Sequence, residues 1–197
     1  MTPLRLFSKI LWAFLTFNAQ VFADVYDPEI PVIELSKNEF YRSSQLVKWQ
    51  LETAIQKYGI RTIINLRGEN PEKKWWQDES AVAQQYGVQH INIAMSAKRI
   101  PSRENLLKLL DAFRTAPRPL LVHCQAGVDR TGEASALYAW IYLGRSRSQA
   151  RDQIFPSVMK AKWYFFDQVF QSEKWAYETY DPCRQNYSYF DRSNCAP

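Results

Sequence analysis

The sequence predicts a single α/β domain with a central, mostly parallel β-sheet and helices on both faces. Three observations carry that expectation. Short β-branched and apolar runs alternate with helical patterns through the middle of the chain. Glycine or proline marks the ends of several helical patterns. The 197 residues are enough for one such domain and too few for two comfortable ones.

In chain order, a proline-marked extended lead, "DPEIPVIELS", comes before "EFYRSSQL", where Phe40 and Tyr41 suit a short strand. "SQLVKWQLETAIQKYG" places Leu46, Trp49, Ala54, Ile55 and Tyr58 near helical spacing and stops at Gly59. "IRTIINLR" reads as a buried strand. "NPEKKWWQDESAVAQQYG" reads as a helix with an early proline and a terminal glycine. "VQHINIA" is another strand and "MSAKRIP" a loop. In "SRENLLKLLDAFRTA", Ser102 is placed to cap an amphipathic helix. "RPLLVH" is a strand, and "RTGEASALYAWIYLG" a helix apolar nearly all round, hence buried. From "SRSQARDQIF" to "SEKWAYETY" the pattern gives shorter helices rich in aromatic residues. Of the adjacent Trp75 and Trp76, one is expected to pack inward and the other to lie flat on the surface.

The N-terminus has a different character. Arg5 and Lys9 precede the apolar run "ILWAFLTF", and Val21 and Ala23 suit the −3 and −1 positions of a secretory signal cleaved before Asp24. The expected organisation is a signal peptide at 1–23 and one domain at 24–197, with an aromatic C-terminal tail from about 172. Asn18 and Gln20 interrupt the apolar run well short of a bilayer span, so no membrane association is expected after cleavage. The expected location is the periplasm or the medium. An uncleaved anchor or an ordinary N-terminal helix is the alternative.

The formal charge of +5 loses two positive charges with the leader, leaving a mildly basic chain. No nucleic-acid motif accompanies it, and no nucleic-acid partner is expected. The two histidines and three cysteines form no CxxC or HxxxH arrangement, which argues against a structural metal site. In an oxidising compartment, Cys183 and Cys195 are close enough in sequence to staple the tail; two unpaired thiols are the alternative. Cys124 would then be the odd thiol left reduced.

"LLVHCQAGVDRTG" puts Cys124 where a strand ends and a helix begins. In open α/β sheets, ligands bind beyond the carboxyl ends of the strands. A loop wrapped from Gln125 through Ala126, Gly127 and Val128 to Arg130 would aim successive amides at one spot, a nest for an anion at the positive end of a helix dipole. The same field favours thiolate at Cys124 over its usual pKa of about 8.5. Arg130 offers a planar fork for two phosphate oxygens. Thr131 is placed to donate its hydroxyl to the sulfur. Cys124 could instead be a buried, inert thiol. His123 is expected to orient the loop by hydrogen bonding, and Arg42 to make a structural ion pair under the sheet.

His123-Cys124-Gln125-Ala126-Gly127-Val128-Asp129-Arg130-Thr131-Gly132 matches HCxxGxxR[ST]G, and the chain thereby resembles the cysteine-dependent protein tyrosine and dual-specificity phosphatases. "FYRSSQL", "GIRTIINLRGE" and the region through Phe155 are similar to the small bacterial members, including exported ones with a cysteine pair in the tail. The resemblance implies a phosphotyrosine-phosphatase-like fold, a phosphocysteine intermediate on Cys124, and neither metal nor cofactor. Its implied substrate is a phosphorylated protein or a small anionic phosphoester.

The chain departs from that family in one place. An aspartate on a separate upstream loop usually protonates the leaving oxygen, and "AMSAKRIPSRE" contains none. A general acid supplies about 10² to 10⁴ in rate. Asp129 inside the phosphate loop is one candidate; Glu104, in the first turn of its helix, is a second. The third explanation is a substrate whose leaving group needs little protonation. Lys98 and Arg99 would then attract a polyanion such as an inositol phosphate, a phospholipid head group or a glycolipid phosphate, unless they form only a solvated basic loop. The runner-up function is a weakly active phosphate-binding pseudophosphatase.

Overall fold

The computed structural model describes residues 30–154, 159–169 and 176–195. The expected signal peptide at 1–23 lies outside the described residues. Five strands, β1 (Val32–Ser36), β2 (Phe40–Ser43), β3 (Thr62–Asn65), β4 (Gln89–Asn92) and β5 (Leu120–His123), form one sheet in the order β1-β2-β5-β3-β4. β2, β5, β3 and β4 run parallel, and β1 pairs antiparallel with β2. The proline-marked lead is thus an edge strand.

Period-two alternation along the central strands splits the core in two. Phe40, Ile64, Leu120 and Val122 join one cluster with Leu106, Leu109, Phe113, Leu137 and Tyr138. Tyr41, Ile63 and Leu121 face the opposite way and join Leu51, Ala54, Ile55, Val82 and Ala83. Helices α1 (Lys48–Tyr58) and α2 (Lys74–Tyr86) therefore cover one face. Helices α3 (Arg103–Thr115) and α4 (Asp129–Ile141) cover the other. Ser102 caps α3, its side chain accepting from the Asn105 amide. Every residue of α4 from Thr131 to Ala139 is buried, in keeping with its apolar composition.

Three details differ from the sequence reading. Asn70 to Lys73 form a turn rather than a first helical turn, with the Lys73 amide donating to the Asn70 carbonyl at 2.9 Å. The helix begins only at Lys74. Trp49 is 56% exposed, because the buried stripe of α1 runs through Leu51, Ala54 and Ile55. The tryptophan pair is also more symmetric than expected, since both are half-buried. Trp75 lies under the Arg67 guanidinium, 3.5 Å from its ring centre, and Trp76 donates to Asn92.

After α4 come α5 (Arg147–Arg151), a 3₁₀ turn, α6 (Lys160–Tyr164) running into a π-helical turn, and α7 (Ala176–Thr179). The tail then folds onto the loop between β4 and α3. Tyr180 is fully buried, stacks on Tyr187 and donates to the Pro101 carbonyl. The Ile100 amide donates to the Tyr189 carbonyl at 3.2 Å, and Arg99 pairs with Asp191. The sulfur atoms of Cys183 and Cys195 lie at bonding distance, 2.15 Å, closing the tail on itself.

Closing a loop of this size removes about 3 kcal/mol of unfolded-state entropy in the chain-entropy model. Cys183→Ser should therefore lower the unfolding free energy by about that amount, read by chemical denaturation. An unchanged denaturation midpoint, with wild-type protein also indifferent to reductant, would mean that packing alone holds the tail.

Candidate active site

The last row of the four parallel strands is polar. Ser43, His123, Asn65 and Asn92 stand side by side in register, and the loops that follow them build the site. Parity decides what each residue faces. His123 follows Leu121 by two and so points to the α2 side, whereas Cys124 joins the α4 side and is 2% exposed.

The loop from Cys124 to Arg130 is shaped by what its carbonyls touch. The Gln125 carbonyl accepts from the Gln45 amide at 3.0 Å. The Gly127 carbonyl accepts from Arg42 Nη2 at 2.9 Å, while Arg42 Nη1 donates to the Gln153 carbonyl at 2.9 Å. A planar trans peptide points its N–H opposite to its C=O. Holding these two carbonyls outward therefore turns the amides of Ala126 and Val128 inward. Arg42 makes no ion pair in these contacts, contrary to the sequence expectation; it is a donor to the loop itself. Burial lowers its pKa to about 10, with the Cys124 thiolate pulling the other way.

Gly127 sits at φ 71°, and a Cβ there would lie 2.7 Å from the Ser44 amide nitrogen. No other residue fits without moving β2. Gly132 is equally confined: a Cβ would lie 2.8 Å from the Gln153 carbonyl oxygen, so α4 could not pack against that turn.

Burial by itself pushes the Cys124 thiol up. The Thr131 hydroxyl and amide, the Arg130 charge and the Gly127 amide outweigh it, and the net shift is downward. Arg130 donates from Nη1 to the carbonyls of Leu66 and Met95 at 3.3 and 3.4 Å. Its Nε is buried without a protein acceptor, which leaves that donor for an oxyanion. Gln125 and Ala126 are exposed; Gly127, Val128 and Asp129 are half-buried. The thiol thus lies at the floor of the loop.

His123 Nδ1 contacts the Cys124 carbonyl at 3.2 Å, the loop-orienting contact expected of it. Its Nε2 lies 3.0 Å from Glu79 Oε2, off the line of a straight hydrogen bond. Glu79 also contacts His90 at 2.8 Å and accepts from Gln45 Nε2 at 2.6 Å. Glu79, His90 and Gln45 were not singled out from the sequence. The available signal was a carboxylate at position 79 on the same helical stripe as Val82 and Ala83. Among the described residues, no group of His, Cys, Asp or Glu is arranged to hold a metal ion.

The other candidates separate. Asp129 is the first residue of α4, beside Arg130. Glu104 is 75% exposed along its side chain and pairs with Lys108 at 2.7 Å, and that hydrogen bond lowers its pKa. Lys98 is exposed. Arg99 does not stand as a second free cation beside Lys98, because Asp191 of the tail pairs with it. A cleft of about 330 Å³ between this loop and the tail is lined by Ser96, Arg99, Ser102, Asn105, Phe190 and Asp191.

Crystal structures of cysteine-based phosphatases share this fold. P. aeruginosa TpbA is 23% identical, with 71% of this chain and 85% of that one aligned at a TM-score of 0.53. TpbA in complex with pTyr is similar over 72% of this chain and 86% of that one, at 22% identity and a TM-score of 0.55. The core catalytic domain of the PP-IP phosphatase SIW14 from S. cerevisiae, in complex with citrate, is 21% identical over 70% of this chain and 83% of that one, with a TM-score of 0.58. No curated protein sequence matches the chain. A family model does, across residues 20–173, and by that match the chain belongs to the family described as DSP-PTPase phosphatase fused to NAD+ kinase.

Proposed function

We propose that this phosphatase hydrolyses phosphate monoesters through a phosphocysteine intermediate on Cys124. The observation that carries the reading is the lowered thiol of a cysteine set among inward-facing amides, with Arg130 Nε left for an oxyanion. In the first step the Cys124 thiolate attacks phosphorus and the ester P–O bond breaks. The leaving oxygen takes a proton from Asp129, and the phosphoryl group remains on sulfur. In the second, a water molecule gives its proton to the Asp129 carboxylate and attacks phosphorus. The S–P bond then breaks, releasing phosphate and restoring the thiolate. Arg130 and the amides of Gln125 to Val128 hold the equatorial oxygens throughout. Thr131 donates to the sulfur as it leaves.

Cys124→Ser should abolish turnover of an aryl phosphate while vanadate binding persists, because the amide nest survives. Arg130→Lys should lose most activity, since a point charge cannot engage two oxygens at once. Undiminished turnover by the Cys124→Ser protein, measured with the chelator-treated wild type alongside, would sink the mechanism. An inactive wild type that still binds vanadate would favour a phosphate-binding pseudophosphatase.

Asp129 is preferred to Glu104 as the acid because Glu104 is turned to solvent and held by Lys108. Asp129→Asn should slow an alkyl phosphate, whose leaving group needs a proton, about a hundredfold, and an activated aryl phosphate far less. A loss confined to Glu104→Gln would move the role there. If neither variant discriminates between the two esters, the reading shifts to a polyanionic substrate. Arg67 favours that second reading better than Lys98 and Arg99 do. It is within electrostatic reach of both Arg130 and Cys124, and Gln45 and Trp75 hold it in place.

We also place the mature protein in the periplasm or the medium, on the strength of the leader and of a cysteine pair set to form a disulfide. Mass spectrometry of alkylated protein from the native host should give a chain beginning at or near Asp24, with Cys124 labelled and the tail cysteines protected. A cytosolic chain retaining Met1 would refute export.

A further inference from the structure

The chain contains two histidines, and both meet on one buried carboxylate. Glu79 is 3% exposed and His123 2% exposed. An ionised carboxylate on the apolar stripe of a helix is unfavourable unless paired. The hydrogen-bond directions around it can be assigned from its neighbours. Arg67 Nη1 can only donate, so Gln45 Oε1 is the acceptor facing it, and Gln45 Nε2 then donates to Glu79 Oε2. His90 Nε2 faces Glu79 Oε1. Contacts with the two histidines and the Gln45 amide favour the ionised carboxylate. His123 in turn stands between two groups that only accept, the Cys124 carbonyl at Nδ1 and the Glu79 carboxylate at Nε2. Two acceptor neighbours favour a proton on each ring nitrogen.

We propose that Glu79 is a positioning residue of the active site: it holds His123 as an imidazolium, oriented through Nε2, so that a fixed positive charge lies beneath Cys124. This rests on the reading of Cys124 as the reacting group. Glu79 touches no substrate, being on the far side of the imidazole from the thiol. Burial raises its carboxyl, but contacts with the two histidines bring it well below the usual range; the His123 imidazolium, disfavoured by burial, is stabilised by Glu79 and raised. The other charged groups around Cys124 and His123 are Arg42 on β2, Arg67 after β3, His90 on β4, and Asp129 and Arg130 on α4. The arginines keep their charge through the working range. Of these groups Glu79, the two histidines and Asp129 are titratable, and Glu79 with His123 is the pair that contacts the Cys124 backbone.

The test reads the thiol directly. The rate of Cys124 alkylation by iodoacetamide is followed from pH 4 to 9 in wild type, Glu79→Gln and Glu79→Asp. A glutamine keeps the size of the side chain and removes its charge. His123 should then lose its Nε2 proton near neutrality while Nδ1 still faces the Cys124 carbonyl. The alkylation midpoint should rise by about one pH unit, making the reaction about tenfold slower at pH values below the wild-type midpoint, with an unchanged limiting rate at high pH. Glu79→Asp, which keeps the charge, should recover most of that loss. A merely structural Glu79 would lower thermal stability and leave the folded protein's alkylation profile unmoved; that result overturns the proposal. Should Glu79→Gln not fold, the wild type decides. With only two imidazoles in the chain, His90→Asn assigns the His123 ¹⁵N resonances, and a neutral His123 ring at pH 7.5 overturns the proposal equally. Neither readout requires turnover. A wild type that hydrolyses no phosphate ester but shows the alkylation shift therefore overturns the proposed function alone.

Discussion

The loop between Cys124 and Arg130 must present amides to its interior, and so its carbonyls need donors outside it. Two come from the end of β2 and the residues after it, the Arg42 guanidinium and the Gln45 amide. That requirement fixes much of the surrounding structure. β2 must lie beside β5, in register, for Arg42 to reach Gly127, and Ser43 and Ser44 must pass so close that position 127 admits no side chain. Arg42 also ties Gln153 to the loop, and Gln153 in turn presses on Gly132 in α4. One buried guanidinium thus joins a strand, the loop and the turn after α5. A leucine at position 42 would strand these carbonyls without donors, which costs more than the lost hydrogen bonds themselves.

Charge follows from the same geometry. Arg42, buried, and Arg67 and Arg130, half-buried, carry positive charge around one cysteine, and gathering that many cations is unfavourable without compensation. The thiolate supplies part of the balance, and Glu79, on the opposite face of β5, supplies another. The division of labour is set by strand parity. Consecutive residues 123 and 124 face opposite sides of the sheet, so Cys124 sits over α4 while the His123–Glu79 contact sits over α2. In the proposed arrangement, part of the charge beneath the thiol is set from α2, on the face of the sheet opposite α4.

Much of this was legible in the sequence because it is local. The order of strands and helices, the cap at Ser102, the buried helix after Arg130 and the Cys124–Arg130 spacing all lie within windows of a few turns. The contacts of Arg42 were not, since Gly127 and Gln153 are 85 and 111 residues away. Glu79 was missed for a different reason. Its neighbours Val82 and Ala83 mark a buried stripe, but a charged residue among them reads as a helix-surface residue until its partners are known. The two histidines are those partners, and only the parallel pairing of β3 with β4 and β5 brings them together. Arg99 shows the converse, a contact that the local sequence hides. Read locally it belongs to a basic loop, whereas the tail supplies Asp191 from 92 residues away.

The tail gives that loop its shape as well as its charge balance. The loop between β4 and α3, where the sequence resemblance leads one to expect an acid, has its backbone held from three directions. Lys162 donates to the Arg99 carbonyl and pairs with Glu133 of α4, Tyr189 accepts from the Ile100 amide, and Tyr180 donates to the Pro101 carbonyl. Lys162 is fully buried, so moving the loop away would take from its ammonium one of the acceptors that satisfy it. A loop fixed in this way is poorly suited to deliver an acid by closing over substrate. An acid carried by the phosphate loop itself, as Asp129 would be, needs no such motion. The anchoring of the loop and the location of the candidate acid are therefore two sides of one arrangement.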